Sequence, residues 1–123
     1  MKQILVVDDD REWNFLLKVM MEQAGFKIEQ AYNGKDALDK IAQTKPDLLV
    51  LDITMPIMDG FEVCKVLREK PETKELPIVI LTSYTQPEDI LKGKSYQVKR
   101  YLLKPCPPEL VIQNVRDIFE QTS

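Results

Sequence analysis

From one end of the chain to the other, short runs of consecutive apolar residues alternate with stretches where apolar residues recur every three or four positions. "QILVV" (3–7) is continuous, β-branched and ended by charge, which predicts a buried strand. From Arg11 onward, Trp13, Leu16, Leu17, Met20 and Ala24 fall at helical spacing, with Gly25 as a natural terminator. "KIEQA" (27–31) reads as a second, less apolar strand, after which Asn33-Gly34 turns the chain into a short helix through Ala37, Leu38 and Ile41, ended by Pro46. "DLLVL" (47–51) predicts a third strand whose apolar run ends in Asp52. Beyond the loop "TMPIMDG", Phe61, Cys64 and Leu67 mark a helix up to about Lys70. Pro77 precedes a fourth strand, "IVIL" (78–81), which ends at Thr82 and Ser83. Pro87 starts a helix through Ile90 and Leu91, weakened by Gly93 and polar surroundings. "RYLL" (100–103) is a fifth strand ending at Lys104. Pro107-Pro108 then opens a last helix with Val111, Ile112, Val115, Ile118 and Phe119 on its apolar face.

Strands alternating with helices imply an α/β fold, a parallel sheet covered on both faces. Right-handed crossovers place every strand's C-terminal end along one edge. The chain shows no internal repeat, low-complexity segment or linker, and its 123 residues are expected to form one domain spanning 1–123.

That edge collects the chemistry. Asp8, Asp9 and Asp10 follow the first strand, Asp52 the third, Thr82 and Ser83 the fourth, and Lys104 the fifth. In open α/β sheets ligands bind at the carboxyl ends of strands. Like charges this close repel, and burying any of them unpaired is costly, so the site calls for a cation. The chain has no histidine, and Cys64 and Cys106 lack metal-ligand spacing. A carboxylate-only donor set points to Mg2+ or Mn2+ rather than zinc. With the metal, Thr82 and Lys104 then supply places for three phosphoryl oxygens, and Asp52 remains as a carboxylate nucleophile.

Composition narrows the rest. The absence of histidine removes catalytic triads, imidazole general bases and histidine-ligated zinc. A formal charge of −3 without a Lys/Arg cluster argues against direct nucleic-acid binding. No run approaches the ~18 apolar residues of a membrane span, and the N-terminus does not read as a signal peptide. Both cysteines read as small, buried apolar residues, kept as thiols in a cytosolic chain.

The motifs "VVDD" (6–9), "LDITMPIMDG" (51–60), "LTS" (81–83) and "YLLKP" (101–105) together resemble the response-regulator receiver domains of two-component signalling, over the whole chain and in the family's order. The resemblance implies a flavodoxin-like (βα)5 fold with strand order 2-1-3-4-5, in a cytoplasmic signalling protein. It implies that Asp52 is the phosphoacceptor. Asp8, Asp9, Asp52 and the Thr54 backbone carbonyl would bind Mg2+, Asp9 more directly than Asp8. Thr82 and Lys104 would complete the catalytic set, and Thr82 and Tyr101 would form the switch. A cis peptide at Lys104-Pro105 is also implied. The phosphoryl donor would be a sensor histidine kinase or a histidine phosphotransfer protein. The output would run through the surface of the fourth helix, fifth strand and fifth helix, to an output protein or domain or to a second copy of the chain. The domain would act only on its own phosphorylation and dephosphorylation, and not as an enzyme on other substrates.

Some positions depart from the family pattern. Asp10 is expected to cap the first helix; Asp59 reads as a capping or turn acid, with Gly60 in a tight loop. Gln97-Val98 stands where many relatives carry Gly-Ala, and Cys106 where an aromatic is common. Tyr84 is bulky beside the site and, with Thr54, is expected to screen attacking water and prolong the phosphorylated state. Other readings compete. A haloacid-dehalogenase-type phosphatase shares the Asp, Lys and Mg2+, but Glu12 occupies its threonine or valine position, and the order of its motifs is wrong. A flavodoxin needs a phosphate loop that is absent after the first strand. A pseudo-receiver, working by protein contact without phosphorylation, is the remaining alternative.

Overall fold

Each apolar run folds as a strand and each amphipathic stretch as a helix in the computed structural model, which describes residues 1–121; the last two residues of the expected 1–123 span lie outside them. The elements are β1 (Gln3–Val7), α1 (Arg11–Gln23), β2 (Lys27–Ala31), α2 (Gly34–Thr44), β3 (Leu48–Leu51), α3 (Gly60–Glu69), β4 (Ile78–Thr82), α4 (Pro87–Ser95), β5 (Arg100–Leu103) and α5 (Pro108–Gln121). The strands form one parallel sheet in the order β2-β1-β3-β4-β5, the flavodoxin-like arrangement. No helix among the described residues is long and apolar enough to cross a membrane.

Side chains of a strand alternate between faces, and the apolar runs feed two separate cores. Leu5, Val7, Leu49, Leu51, Ile78 and Ile80 pack with α2 and α3 on one face. Ile4, Val6, Leu48, Val50, Val79 and Leu81 pack with α1 and α5 on the other. Both faces are covered, so these strands must be apolar through their length, as they are between Gln3 at the start of β1 and Thr82 at the end of β4.

Local chemistry sets the helix ends. Asp10, Asn33 and Asp59 are the N-caps of α1, α2 and α3, each accepting a backbone N–H with its side chain. Asp59 and Glu62 complete a reciprocal capping box. Gly25 takes the left-handed conformation just past α1, at φ 100°.

The face of α1 differs from its expected apolar spacing. The buried stripe is Asn14, Leu17 and Met21, whereas Leu16 is exposed. The predicted spacing tracked apolar residues, and the helix instead buries a polar one whose hydrogen-bonding groups are all met inside. Cys64 is buried as expected, but Cys106 is only partly covered, because it lies in the β5–α5 loop and not on an inward face.

Helix α4 is thinly anchored. Its N-cap Gln86 makes no side-chain cap hydrogen bond, and its one buried residue is Gly93. A Cβ at Gly93 would lie 3.0 Å from the Tyr101 ring, so the glycine lets strand and helix approach. The C-terminal end is held from α3. Arg68 donates Nε–H to the Tyr96 carbonyl (2.8 Å), and its terminal nitrogens reach the carbonyls of Thr73 (3.2 Å), Lys74 (3.0 Å) and Gln97 (3.5 Å). Gln97 sits at φ 61°, left-handed where a glycine would be unstrained.

Candidate functional site

With β1 and β3 side by side and Val7 opposite Leu51, the next residues, Asp8 and Asp52, emerge as neighbours at the carboxyl edge. They lie between the strands where the chain order reverses, the position at which ligands bind in this architecture. Asp8, Asp9 and Asp52 each present a carboxylate oxygen within 4.8 Å of the others, among the described residues. Asp8 and Asp52 are buried and Asp9 is exposed, so the group has a deep wall and an open side.

Lys104 reaches this cluster from the end of β5. Its Nζ donates to Asp8 Oδ2 at 2.5 Å and to Asp52 Oδ2 at 3.5 Å. The Lys104-Pro105 peptide is cis. The other Asp52 oxygen, Oδ1, accepts the Thr54 N–H at 3.3 Å. The Asp8 Oδ1 accepts the Asp10 N–H at 2.9 Å.

Burial and charge oppose each other in this ion pair. Desolvation pushes the Asp8 carboxyl up to about 6, against the lowering effect of the Lys104 and Asp10 hydrogen bonds; the charge of Asp52 adds to the rise. For Lys104, desolvation works against the ammonium, but the hydrogen bond to Asp8 and the two carboxylate charges outweigh it and raise its pKa. The difference in outcome follows from depth. The Asp8 side chain is 4% exposed and that of Lys104 21%, so desolvation wins only on the acid.

The donor set fits a hard divalent cation. It consists only of carboxylate oxygens, with one lysine short of neutralising them and no nitrogen or sulfur donor in the group. Thr54 is exposed at the start of the β3–α3 loop, beside the cluster. Gly60 packs that loop tightly, since a Cβ there would lie 2.4 Å from the Asp52 carbonyl oxygen and 2.8 Å from Ile53 Cα.

Thr82 ends β4, fully buried, and its hydroxyl accepts only a long 3.4 Å contact from the Tyr84 N–H. Tyr101 on β5 is half-buried and donates its hydroxyl to the Tyr84 carbonyl at 2.9 Å. Burial pushes the Tyr101 phenol up to about 12, helped by the negative charges of Asp89 and Asp52. Tyr84 itself is exposed at the rim. The fold therefore brings Asp8, Asp9, Asp52, Thr54 and Lys104 to one cluster. Thr82, Tyr84 and Tyr101 form a second chain of contacts at the β4–α4 loop.

One residue beneath the cluster escaped the sequence reading. Asn14 is fully buried and donates to the carbonyls of Asp8 (3.0 Å), Ala31 (3.1 Å) and Val6 (3.4 Å). The available signal was its spacing, three residues before Leu17 and seven before Met21, on the buried stripe of α1.

A five-stranded parallel sheet in this order, with three acids and a lysine gathered at its carboxyl edge, is the arrangement of a class of signalling domain. The chain belongs to that class: the response regulator receiver domain family matches it over residues 4–116. It is 38% identical over 120 residues to the response regulator MprA of Mycobacterium avium, covering 98% of this chain and 52% of that protein. Among solved structures it is similar to a two-component response regulator from Clostridium difficile, with a TM-score of 0.93, 32% identity, and 100% and 99% of the two chains covered. It is also similar to the chemotaxis protein CheY4 of Vibrio cholerae, with a TM-score of 0.89, 32% identity, and 95% and 98% covered. The chain spans about half the length of the curated relatives it matches.

Proposed function

We propose that this receiver domain is a phosphorylation-activated switch in which Asp52 accepts a phosphoryl group from the phosphohistidine of a sensor kinase or phosphotransfer protein. The observation that carries the reading is the meeting of three carboxylates with Lys104, which bridges Asp8 and Asp52. Asp8, Asp9, Asp52 and the Thr54 carbonyl would hold Mg2+, for which Mn2+ could substitute. Bound there, the divalent ion supplies positive charge to the acids and to the phosphoryl oxygens.

An Asp52 carboxylate oxygen attacks phosphorus, the P–N bond of the donor breaks, and its electron pair returns to the partner's imidazole. The product is an acyl phosphate on Asp52. Thr54 N–H holds one Asp52 oxygen and so orients the carboxylate. Lys104 already lies between the two buried acids and can shift toward a phosphoryl oxygen. The Thr82 hydroxyl, which has only a long contact, is free to turn to another.

Switching follows from the second chain of contacts. A dianion on Asp52 draws Thr82 and the loop after it, and Tyr84 in that loop carries the carbonyl that holds Tyr101. Movement of the loop therefore releases or redirects the tyrosine. Thinly anchored α4 responds, and the surface of α4, β5 and α5 changes. An output protein or domain docks there, with a second copy of the chain as a further candidate. Phosphate shifts this equilibrium by its different affinity for the two states.

Intact mass after incubation with acetyl phosphate tests the reading, with and without Mg2+, on wild type and Asp52→Asn. The expected result is a Mg2+-dependent gain of one phosphoryl group, absent in the variant. No gain under any condition would support a pseudo-receiver that acts by surface contact alone. Tyr84→Ala should lose the phosphoryl group faster than wild type, since Tyr84 and Thr54 stand at the exposed rim where water approaches.

A further inference from the structure

The acidic turn after β1 is held from below by a single side chain. Asn14 is fully buried on α1, and its amide nitrogen points at three backbone carbonyls where β1 and β2 end. Its carbonyl oxygen accepts Gln30 Nε2–H at 3.1 Å, which fixes which way the amide faces. The backbone N–H of Asn14 also donates to the Asp10 carbonyl at 2.9 Å. One residue thus holds the carbonyls of both Asp8 and Asp10, on either side of Asp9.

Planarity of the peptide gives this contact its consequence. The Asp8 carbonyl oxygen shares one plane with the Cα atoms of Asp8 and Asp9. Holding that oxygen restrains the tilt of the plane and with it the roots of both carboxylates. No other side chain among the hydrogen bonds of the described residues donates to the Asp8 carbonyl. Leu17 and Met21 hold α1 to the sheet by apolar packing but leave this plane untouched.

We propose that Asn14 is a positioning residue for the divalent-cation site, setting the Asp8–Asp9 peptide so that both acids face Asp52. The inference rests on the metal site of the proposed function and adds a residue to it. A buried amide serves better here than an apolar residue of the same size, because without it three carbonyls lose a donor in a place water does not reach. Groups that orient metal ligands from behind affect affinity by about 10–100-fold when removed.

The test compares Mg2+ affinity, by calorimetric titration of the whole chain, with thermal stability and with amide exchange of residues 8–14. Asn14→Leu keeps the size and removes the donors. Val115→Ala, a buried α5 position away from the acids, serves as a control of comparable instability. Asn14→Leu should weaken Mg2+ binding about tenfold or more and speed exchange in the turn. Val115→Ala should bind Mg2+ within about twofold of wild type at a similar loss in Tm. Affinity in folded Asn14→Leu equal to that of the control would overturn the proposal. Should Asn14→Leu fail to fold, Gln30→Met decides, since it removes only the bond that orients the amide. Weaker Mg2+ binding in Gln30→Met supports the role, and unchanged binding refutes it. Absence of Mg2+ binding by the wild type would remove the metal site itself, a different outcome from a site that binds equally well with and without Asn14.

Discussion

Without metal, the acidic cluster should make this protein less stable as pH rises, and Asp8 carries most of that slope. Its carboxyl normally titrates at 3.8 and is pushed up to about 6 in the folded chain, chiefly by burial. Between those values the folded state binds more protons than the unfolded one, so unfolding free energy falls with pH. The cost is absent below about pH 4 and complete above about pH 6–7. A shift of about two units at ~1.36 kcal/mol each gives a loss on the order of 2–3 kcal/mol. The group is almost fully buried, so solvent screening takes little from that figure. Lys104 stays charged throughout this window, because its pKa is raised. Urea unfolding in chelator at pH 4.5 and pH 7, on wild type and Asp8→Asn, reads the effect as a difference in slope. Wild type should lose stability relative to the variant across the interval, and saturating Mg2+ should restore it by mass action. Equal pH dependence of the two proteins in chelator would refute the reasoning.

Three further outcomes follow from the same geometry. Asp52→Asn removes one of three mutually repelling charges, and in chelator it should raise stability by about 1–2 kcal/mol in urea unfolding at pH 7. Gly60→Ala drives a Cβ into the Asp52 carbonyl and Ile53 Cα, which are backbone and cannot swing aside; it should cost about 3 kcal/mol and slow acetyl phosphate uptake. Arg68→Ala removes the side-chain donor from the carbonyls of Tyr96, Lys74 and Gln97, and from that of Thr73, which keeps the Leu76 N–H; it should cost about 2 kcal/mol. Arg68→Lys should rescue little of it, because an ammonium cannot span carbonyls that a planar fork reaches together. Hydrogen exchange at residues 93–98 reads the loosened end of α4 in both variants.

Much of this protein was determined by its sequence alone. Alternation of apolar runs and helical spacing set ten elements in order, and continuous runs such as "QILVV" and "DLLVL" already require a sheet covered on both faces. Caps are local interactions, so Asp10 and Asp59 could be read from their neighbours. The acids, the hydroxyl and the lysine at strand ends were legible because parallel strands must deliver their C-terminal ends to one edge. Only the tertiary structure decided what crosses between elements. Asn14 looked like one polar residue on a helix until the carbonyls of Val6, Asp8 and Ala31 met its amide. Nothing in the sequence marked Arg68, which joins the nearby carbonyls of Thr73 and Lys74 to those of Tyr96 and Gln97, 28 and 29 residues away. Tyr101 donates its hydroxyl to the carbonyl of Tyr84, seventeen residues away. Hydrophobic periodicity reports which face a residue turns inward, but a buried polar group is satisfied by partners whose nearness depends on the packing of the whole chain.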